Sequence, residues 1–175
     1  MGNIGQLSVL PDIHRRSIKE MNKIWYLLKC PEGEEQDCIQ KYRGLVNHKE
    51  LKEAVCFEYQ RMMRYGGKWH LERRTLLPGY IFLSGNKLAE VKWMDVQPIL
   101  CAPPYMKKLC QRDNLVAMSQ GVIRDGNTIV TSGPLKGREH LIRRIDRHKR
   151  TADIEIPLEI GKTRVTVGLE IYEKC

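Results

Sequence analysis

Asn127-Thr128-Ile129-Val130-Thr131-Ser132-Gly133-Pro134-Leu135-Lys136-Gly137-Arg138-Glu139-His140-Leu141-Ile142-Arg143-Arg144-Ile145-Asp146-Arg147-His148-Lys149-Arg150 contains two apolar runs, a glycine-rich break between them and a basic end. The β-branched run Thr128 to Thr131 predicts a strand. Gly133-Pro134 interrupts it and Gly137 closes the loop. A second apolar run, Leu141 to Ile145, leads into the basic cluster. Arg143, Arg144, Arg147, His148, Lys149 and Arg150 fall within eight positions. Two strands joined by a tight loop and ending in concentrated positive charge form a small platform for a polyanion. Lys136 and Arg138 add charge on the neighbouring loop.

Downstream of this segment the pattern stays β. Ile154 and Ile156 alternate with Asp153 and Glu155, Pro157 interrupts, and Gly161-Lys162 predicts a turn. Val165, Val167, Leu169 and Ile171 then share one face, against Arg164, Thr166, Gly168 and Glu170 on the other. Four or five short strands at this spacing predict an SH3-like β-barrel over residues 127–175. A unit of that size buries only about 60% of its unfolded surface and is expected to be marginal. Upstream, Ser, Gly and Asn concentrate over residues 119–126, which reads as a linker. A helix is expected from Arg112 to Met118.

The first part of the chain reads as a separate α/β unit over residues 24–118. Residues 1–23 have little apolar periodicity and are expected to be a mobile extension, with a short helix from Ile13 to Met21 capped by Asp12. Ile24 to Cys30 is a strand candidate with apolar side chains on both faces, as in a central, doubly covered strand. Pro31 and Gly33 end it. Glu34 to Val46 predicts a helix, because Cys38, Ile39, Tyr42, Leu45 and Val46 recur at three- and four-residue steps. Glu34, Glu35 and Asp37 complement the positive end of its dipole.

Ala54 to Arg64 alternates as a second strand, Gly66-Gly67 marks a turn, and Lys68 to Thr75 returns. Arg61, Arg64, Lys68, Arg73 and Arg74 make this a basic hairpin, either an edge kept soluble by charge or a second surface for DNA or RNA. Leu76 to Leu83 is apolar except for Pro78-Gly79, which predicts a bulge or kink that re-aims Leu77 and Tyr80. A second helix is expected over Lys87 to Met94 and a short strand over Gln97 to Cys101, ended by Pro103-Pro104.

Composition narrows the function classes. The 175 residues are 42% hydrophobic and 29% charged, with a formal net charge of +9. That balance is globular, and its sign favours a nucleic-acid partner. No apolar run approaches the roughly 20 residues of a membrane-spanning helix, and the N-terminus lacks a signal-type apolar core. A cytoplasmic monomer with no membrane partner is expected. Six cysteines at 30, 38, 56, 101, 110 and 175 show no zinc spacing, so reduced, incidental thiols and no metal or other cofactor are expected. The five histidines are scattered. Gly133-Pro134-Leu135-Lys136-Gly137 lacks the spacer and the Gly-Lys-Ser/Thr of a phosphate-binding loop. No nucleophile–base pair can be read, and no catalytic residues and no enzyme activity are expected.

Val130 to Gly137, followed by Ile145-Asp146 and a basic turn, is similar to the KOW motif of NusG-type transcription factors and several ribosomal proteins. Trp25-Tyr26, an acidic helix, a basic hairpin and Leu76-Leu77-Pro78-Gly79-Tyr80-Ile81-Phe82 together resemble the N-terminal domain of NusG. The resemblance spans about residues 24–174. The arrangement Ser132 to Gly137, Ile145 to Arg150 and Gly168 to Ile171 looks most like the LoaP group of specialised paralogues. It implies an α+β chain: an N-terminal α/β sandwich followed by a small SH3-like β-barrel. It further implies a processive antiterminator that binds bacterial RNA polymerase and a hairpin in the nascent leader RNA, with non-template DNA as a further partner of the basic hairpin.

Residue by residue, the resemblance places Trp25, Tyr59, Leu77, Pro78, Gly79 and Tyr80 on the polymerase side, with Phe57 as a weaker addition. Trp25, Phe57 and Phe82 read equally well as core. Lys136, Arg138, Arg143, Arg144, Arg147, His148, Lys149 and Arg150 are the RNA candidates. Two alternatives stay open. One is a housekeeping NusG-type elongation factor whose KOW domain binds a protein. The other, of a different class, is a KOW-containing ribosomal protein that binds ribosomal RNA.

Overall fold

The computed structural model describes residues 25–46, 50–85, 97–99, 102–110, 113–158 and 161–174. The helices expected over Ile13 to Met21 and Lys87 to Met94 lie outside them. Trp25–Lys29 (β1) is the centre of the first sheet. It pairs antiparallel with Tyr80–Gly85 (β5) on one side and Gln97–Ile99 (β6) on the other. Leu51–Val55 (β2) pairs outside β5, so the strand order is β2-β5-β1-β6. The two-faced apolar pattern of β1 has its structural counterpart here. Tyr26 and Leu28 join a core with Ile39, Ala54, Ile81 and Leu83, under the helix Glu35–Leu45 (α1). Trp25 joins a second core on the other face, with Phe57, Phe82 and Met106.

The expected strand Ala54 to Arg64 is two strands. Its N-terminal part ends β2 at Val55, and Glu58–Tyr65 (β3) belongs to another sheet. Cys56 and Phe57, both buried, carry the chain from one sheet to the other, and alternation alone could not reveal that change of partner. Lys68–Thr75 (β4) returns along β3 in an unbroken register from Tyr65↔Lys68 to Glu58↔Thr75. Gly66 and Gly67 form the turn with φ of 58° and 74°, the two positive values that a right-twisted hairpin needs.

Pro78-Gly79 does not bulge a strand. It forms a turn that precedes β5. The chain between β6 and the second unit also differs from expectation. Pro103-Pro104 ends no strand but opens the helix Ala102–Leu109 (α2), where missing amide donors are tolerated in the first turn. The expected helix from Arg112 to Met118 is instead, where described, a turn at Asp113-Asn114 and the short strand Leu115–Val116 (β7), parallel to β3. Asp113 and Asn114 both sit at positive φ, which stops a helix there.

The C-terminal unit is a five-stranded sheet of order β10-β11-β12-β8-β9. Its strands are Ser119–Arg124 (β8), Asn127–Ser132 (β9), Ile142–Asp146 (β10), Thr151–Leu158 (β11) and Gly161–Lys174 (β12). The expected linker over residues 119–126 is for the most part this strand β8, which pairs with β12 on one side and β9 on the other. Ser119, Gly121 and Val122 are buried and Gln120 and Arg124 exposed. Pro157 does not interrupt β11; it pairs with Lys162 at the hairpin end. Among the described residues no pairing joins β9 to β10, so no closed barrel is seen. The described residues are mostly strand with few helices, a mixed α+β arrangement, and no described helix is long and apolar enough to cross a membrane.

One apolar core runs through both units. Trp25, Phe57 and Phe82 are continuous with Val130, Leu135, Ile154, Val167 and Leu169. Helix α2 packs on β11, and β12 packs on β3. Gly168 makes the second contact possible, since a Cβ there would overlap the Gln60 carbonyl oxygen and the Met118 sulfur. Gln60 Oε1 also accepts the Met118 amide at 3.0 Å.

Candidate nucleic-acid interface

The basic cluster owes its layout to a bulge. Ile142 and Ile145 both pack on the core, although residues three apart on a regular strand face opposite ways. The register shifts between Ile142, opposite Ile154, and Arg144, opposite Asp153. The extra residue lets both isoleucines point inward and leaves Arg143 and Arg144 exposed. At the far end of β10, Asp146 Oδ1 accepts the Lys149 amide at 2.9 Å. That bond, then the nearby cations of Lys149, Arg144 and His148, holds the Asp146 carboxyl below its ordinary range. The turn closes with Arg150 at φ 53°, an unusual conformation for a side chain with a Cβ.

The cations are not equivalent. Arg143 is tied to Glu155 at 2.9 Å. Arg138, half-buried, donates to the Pro134 carbonyl at 2.7 Å. Lys149 is 72% exposed, with only a loose approach to Asp146 at 3.9 Å. Arg144, Arg147, His148 and Lys136 are exposed, and their side chains make no hydrogen bond or salt bridge among the described residues. These four and Lys149 are the side chains most available to phosphates.

The loop before them is closely packed and hydrogen-bonded. Gly133 has φ 88°, and a Cβ there would lie 2.6 Å from Ser119 Cα. The buried Ser119 hydroxyl accepts the Leu135 amide at 3.2 Å, and Leu135 is fully buried. Glu139 Oε1 accepts the amides of Val130 and Gly137. Burial alone would raise the Glu139 pKa, but the backbone amides of Glu139 itself, Val130 and Gly137, with His140 nearby, outweigh it and hold the group below its ordinary value.

The fold brings the hairpin and the cluster together. Arg150 lies 3.8 Å over the Trp69 ring and pairs with Glu170 at 2.9 Å. Arg64 approaches the same ring at 6.0 Å. Arg61 shares a groove with Arg144 and Lys149. Arg73 and Arg74 are exposed beside Glu58 and Glu72, and Lys68 is exposed at the hairpin end. Two basic patches far apart in sequence therefore meet across the joint. Trp69 was missed as a site residue, although an aromatic among the charges of a hairpin is a signal for nucleic acid.

The apolar candidates divide differently. Trp25 is 2% and Tyr59 8% exposed. Trp25 lies under Lys107, whose ammonium is 5.0 Å from the ring. Phe57 and Phe82 stack edge-on in the core at 5.1 Å. These side chains offer no surface in this arrangement, because the second unit shares their core. Leu77, Pro78 and Tyr80 remain accessible at the turn before β5. Gly79, at φ 78°, donates its amide to the buried Glu35 Oε1 at 2.8 Å, and its carbonyl accepts the Cys30 amide at 2.9 Å. Helix α1 thus fixes the shape of the turn.

Three of the described thiols are held protonated, which makes them poor nucleophiles. Burial pushes Cys30 and Cys110 up to about 12 and Cys56 up to about 11. Among the described residues no His, Cys, Asp or Glu cluster could hold a metal ion. The chain matches no protein-family model and no curated protein.

Proposed function

We propose that this chain is a transcription elongation factor of NusG type that acts as an antiterminator in the cytoplasm. In this reading residues 24–118 form the polymerase-binding unit, the sheet of β8 to β12 is the KOW-type unit, and RNA is read at the basic joint between them. The observation that carries the RNA part is the convergence of Arg61 and Trp69 with Arg144, Lys149 and Arg150. Cations gathered beside an aromatic ring, at a cost in self-repulsion, favour a polyanion over a merely solvated rim. The polymerase part rests on the motif resemblance and on the turn with exposed Pro78 between half-buried Leu77 and Tyr80. A factor of this kind performs no chemistry. It favours the elongating state of its partner by binding that state better.

A second reading has one observation in its favour. Ile129 and Tyr172 are large, apolar and exposed, and Tyr172 reaches Thr131 on the same strand as Ile129. Such a patch suits the housekeeping alternative, in which the C-terminal unit binds a protein.

The experiment is capture of purified bacterial RNA polymerase by the full chain, beside a Tyr80→Ala variant. Tyr80→Ala is expected to weaken polymerase capture by about tenfold, in the range of an aromatic anchor, with RNA affinity retained. No capture by the wild-type chain overturns the polymerase assignment. Equal loss of polymerase and RNA binding in the variant removes Tyr80 from the interface.

A further inference from the structure

Between β3 and the β10–β11 edge lies a groove of about 290 Å3. Arg61, Arg144 and Lys149 line it together with the carboxylates of Asp146 and Asp153. The Arg61 Nε is buried and has no hydrogen-bond partner among the described residues. The groove is thus lined by an arginine whose Nε the protein itself does not engage. The carboxylates are partly used. Asp153 Oδ1 accepts the Thr166 hydroxyl at 2.8 Å and Asp146 Oδ1 the Lys149 amide. Each keeps a second oxygen able to accept.

This mixture is selective. A small inorganic anion would meet the guanidinium groups but also two carboxylates. A base with its phosphate presents both kinds of group, oxygens that accept and an amino group that donates. In a paired stem those base edges are hidden in the deep groove of the A-form helix. We propose that the groove takes one unpaired nucleotide of RNA, its oxygens on Arg61 and Arg144 and its amino group on Asp153. This rests on the RNA reading above and names the feature of the RNA that is read. The groove has walls from both units, so binding there also stabilises their packed arrangement.

The test uses the full chain and five RNA hairpins, four with a single bulged A, C, G or U and one fully paired. Fluorescence anisotropy at one salt concentration gives the affinities. At least one bulged hairpin is expected to bind about tenfold or more tighter than the paired control, the discrimination of one good base contact. R61K keeps the charge but lacks the Nε donor, and R61Q lacks both. Each is expected to cut the bulged-to-paired ratio to about twofold or less, since both remove that contact. In the wild-type chain the Arg61 Nε–H resonance is expected to move with the bulged hairpin and stay in place with the paired one. Equal binding of all five hairpins overturns the groove assignment, as does a proportionate loss for bulged and paired RNA in the Arg61 variants. No binding to any hairpin overturns the RNA reading itself.

Discussion

Glu35 shows how a single residue sets the shape of a surface. It is buried at the start of α1 and accepts the Gly79 amide of the exposed turn. Burial alone would raise its pKa, but the amides of Gly79, Glu35 and Gly33 outweigh that and lower it below the ordinary 4.5. The folded state therefore prefers the carboxylate. Its contribution is complete above the unfolded pKa and is lost as the pH falls through the lower folded value. Glu35→Gln keeps an acceptor and loses the charge, so unfolding stability at pH 7 is expected to fall by about 1 kcal/mol. Denaturant melts of wild type and variant should converge at acid pH; a gap independent of pH would contradict the assignment. The acidic start of the helix was legible as dipole compensation. The bond to Gly79 was not, because the two residues are 44 positions apart and nothing local links them.

At the scale of elements, the β3–β4 hairpin joins the two units. Its turn and returning arm could be read from Gly66-Gly67 and the flanking alternation, and the structure pairs the two arms from Tyr65↔Lys68 to Glu58↔Thr75. The hairpin's neighbour could not be read. That depends on Gly168, a residue that looks merely permissive in sequence but lets β12 approach the β3 backbone. The basic turn was legible as charge; the β10 bulge that separates tied Arg143 from available Arg144 was not, since Ile142 and Ile145 break simple alternation. Trp69 under Arg150 holds the hairpin to that turn. Trp69→Ala is expected to remove about 0.5–2 kcal/mol of cation–π attraction, with faster amide exchange along β3 and β4 than along β1 and β5. Uniform acceleration over all strands would mean that the ring supports the global fold rather than this joint.

For the whole molecule, the segment Asn127 to Arg150 yielded two strands, a glycine-rich loop and the basic turn, all observed. The expectation of a separate, marginal barrel met a different outcome. No closure is seen among the described strands, and the apolar core passes into the first unit. Periodicity identifies which residues are apolar, not which surface they meet. Sharing a core offsets the poor burial of a small unit and brings the two basic patches together across the joint.

The most direct measurement is the affinity of the full chain for a hairpin from a long-operon leader and for a scrambled strand, each at two salt concentrations. The account predicts tighter binding to the hairpin that survives the higher salt. It also predicts a log–log salt slope reduced in magnitude by about 0.7–0.9 in Arg147→Ala, the loss of one phosphate contact. Equal, weak binding to both strands that vanishes with salt would contradict it and leave the positive charge without a specific RNA to read.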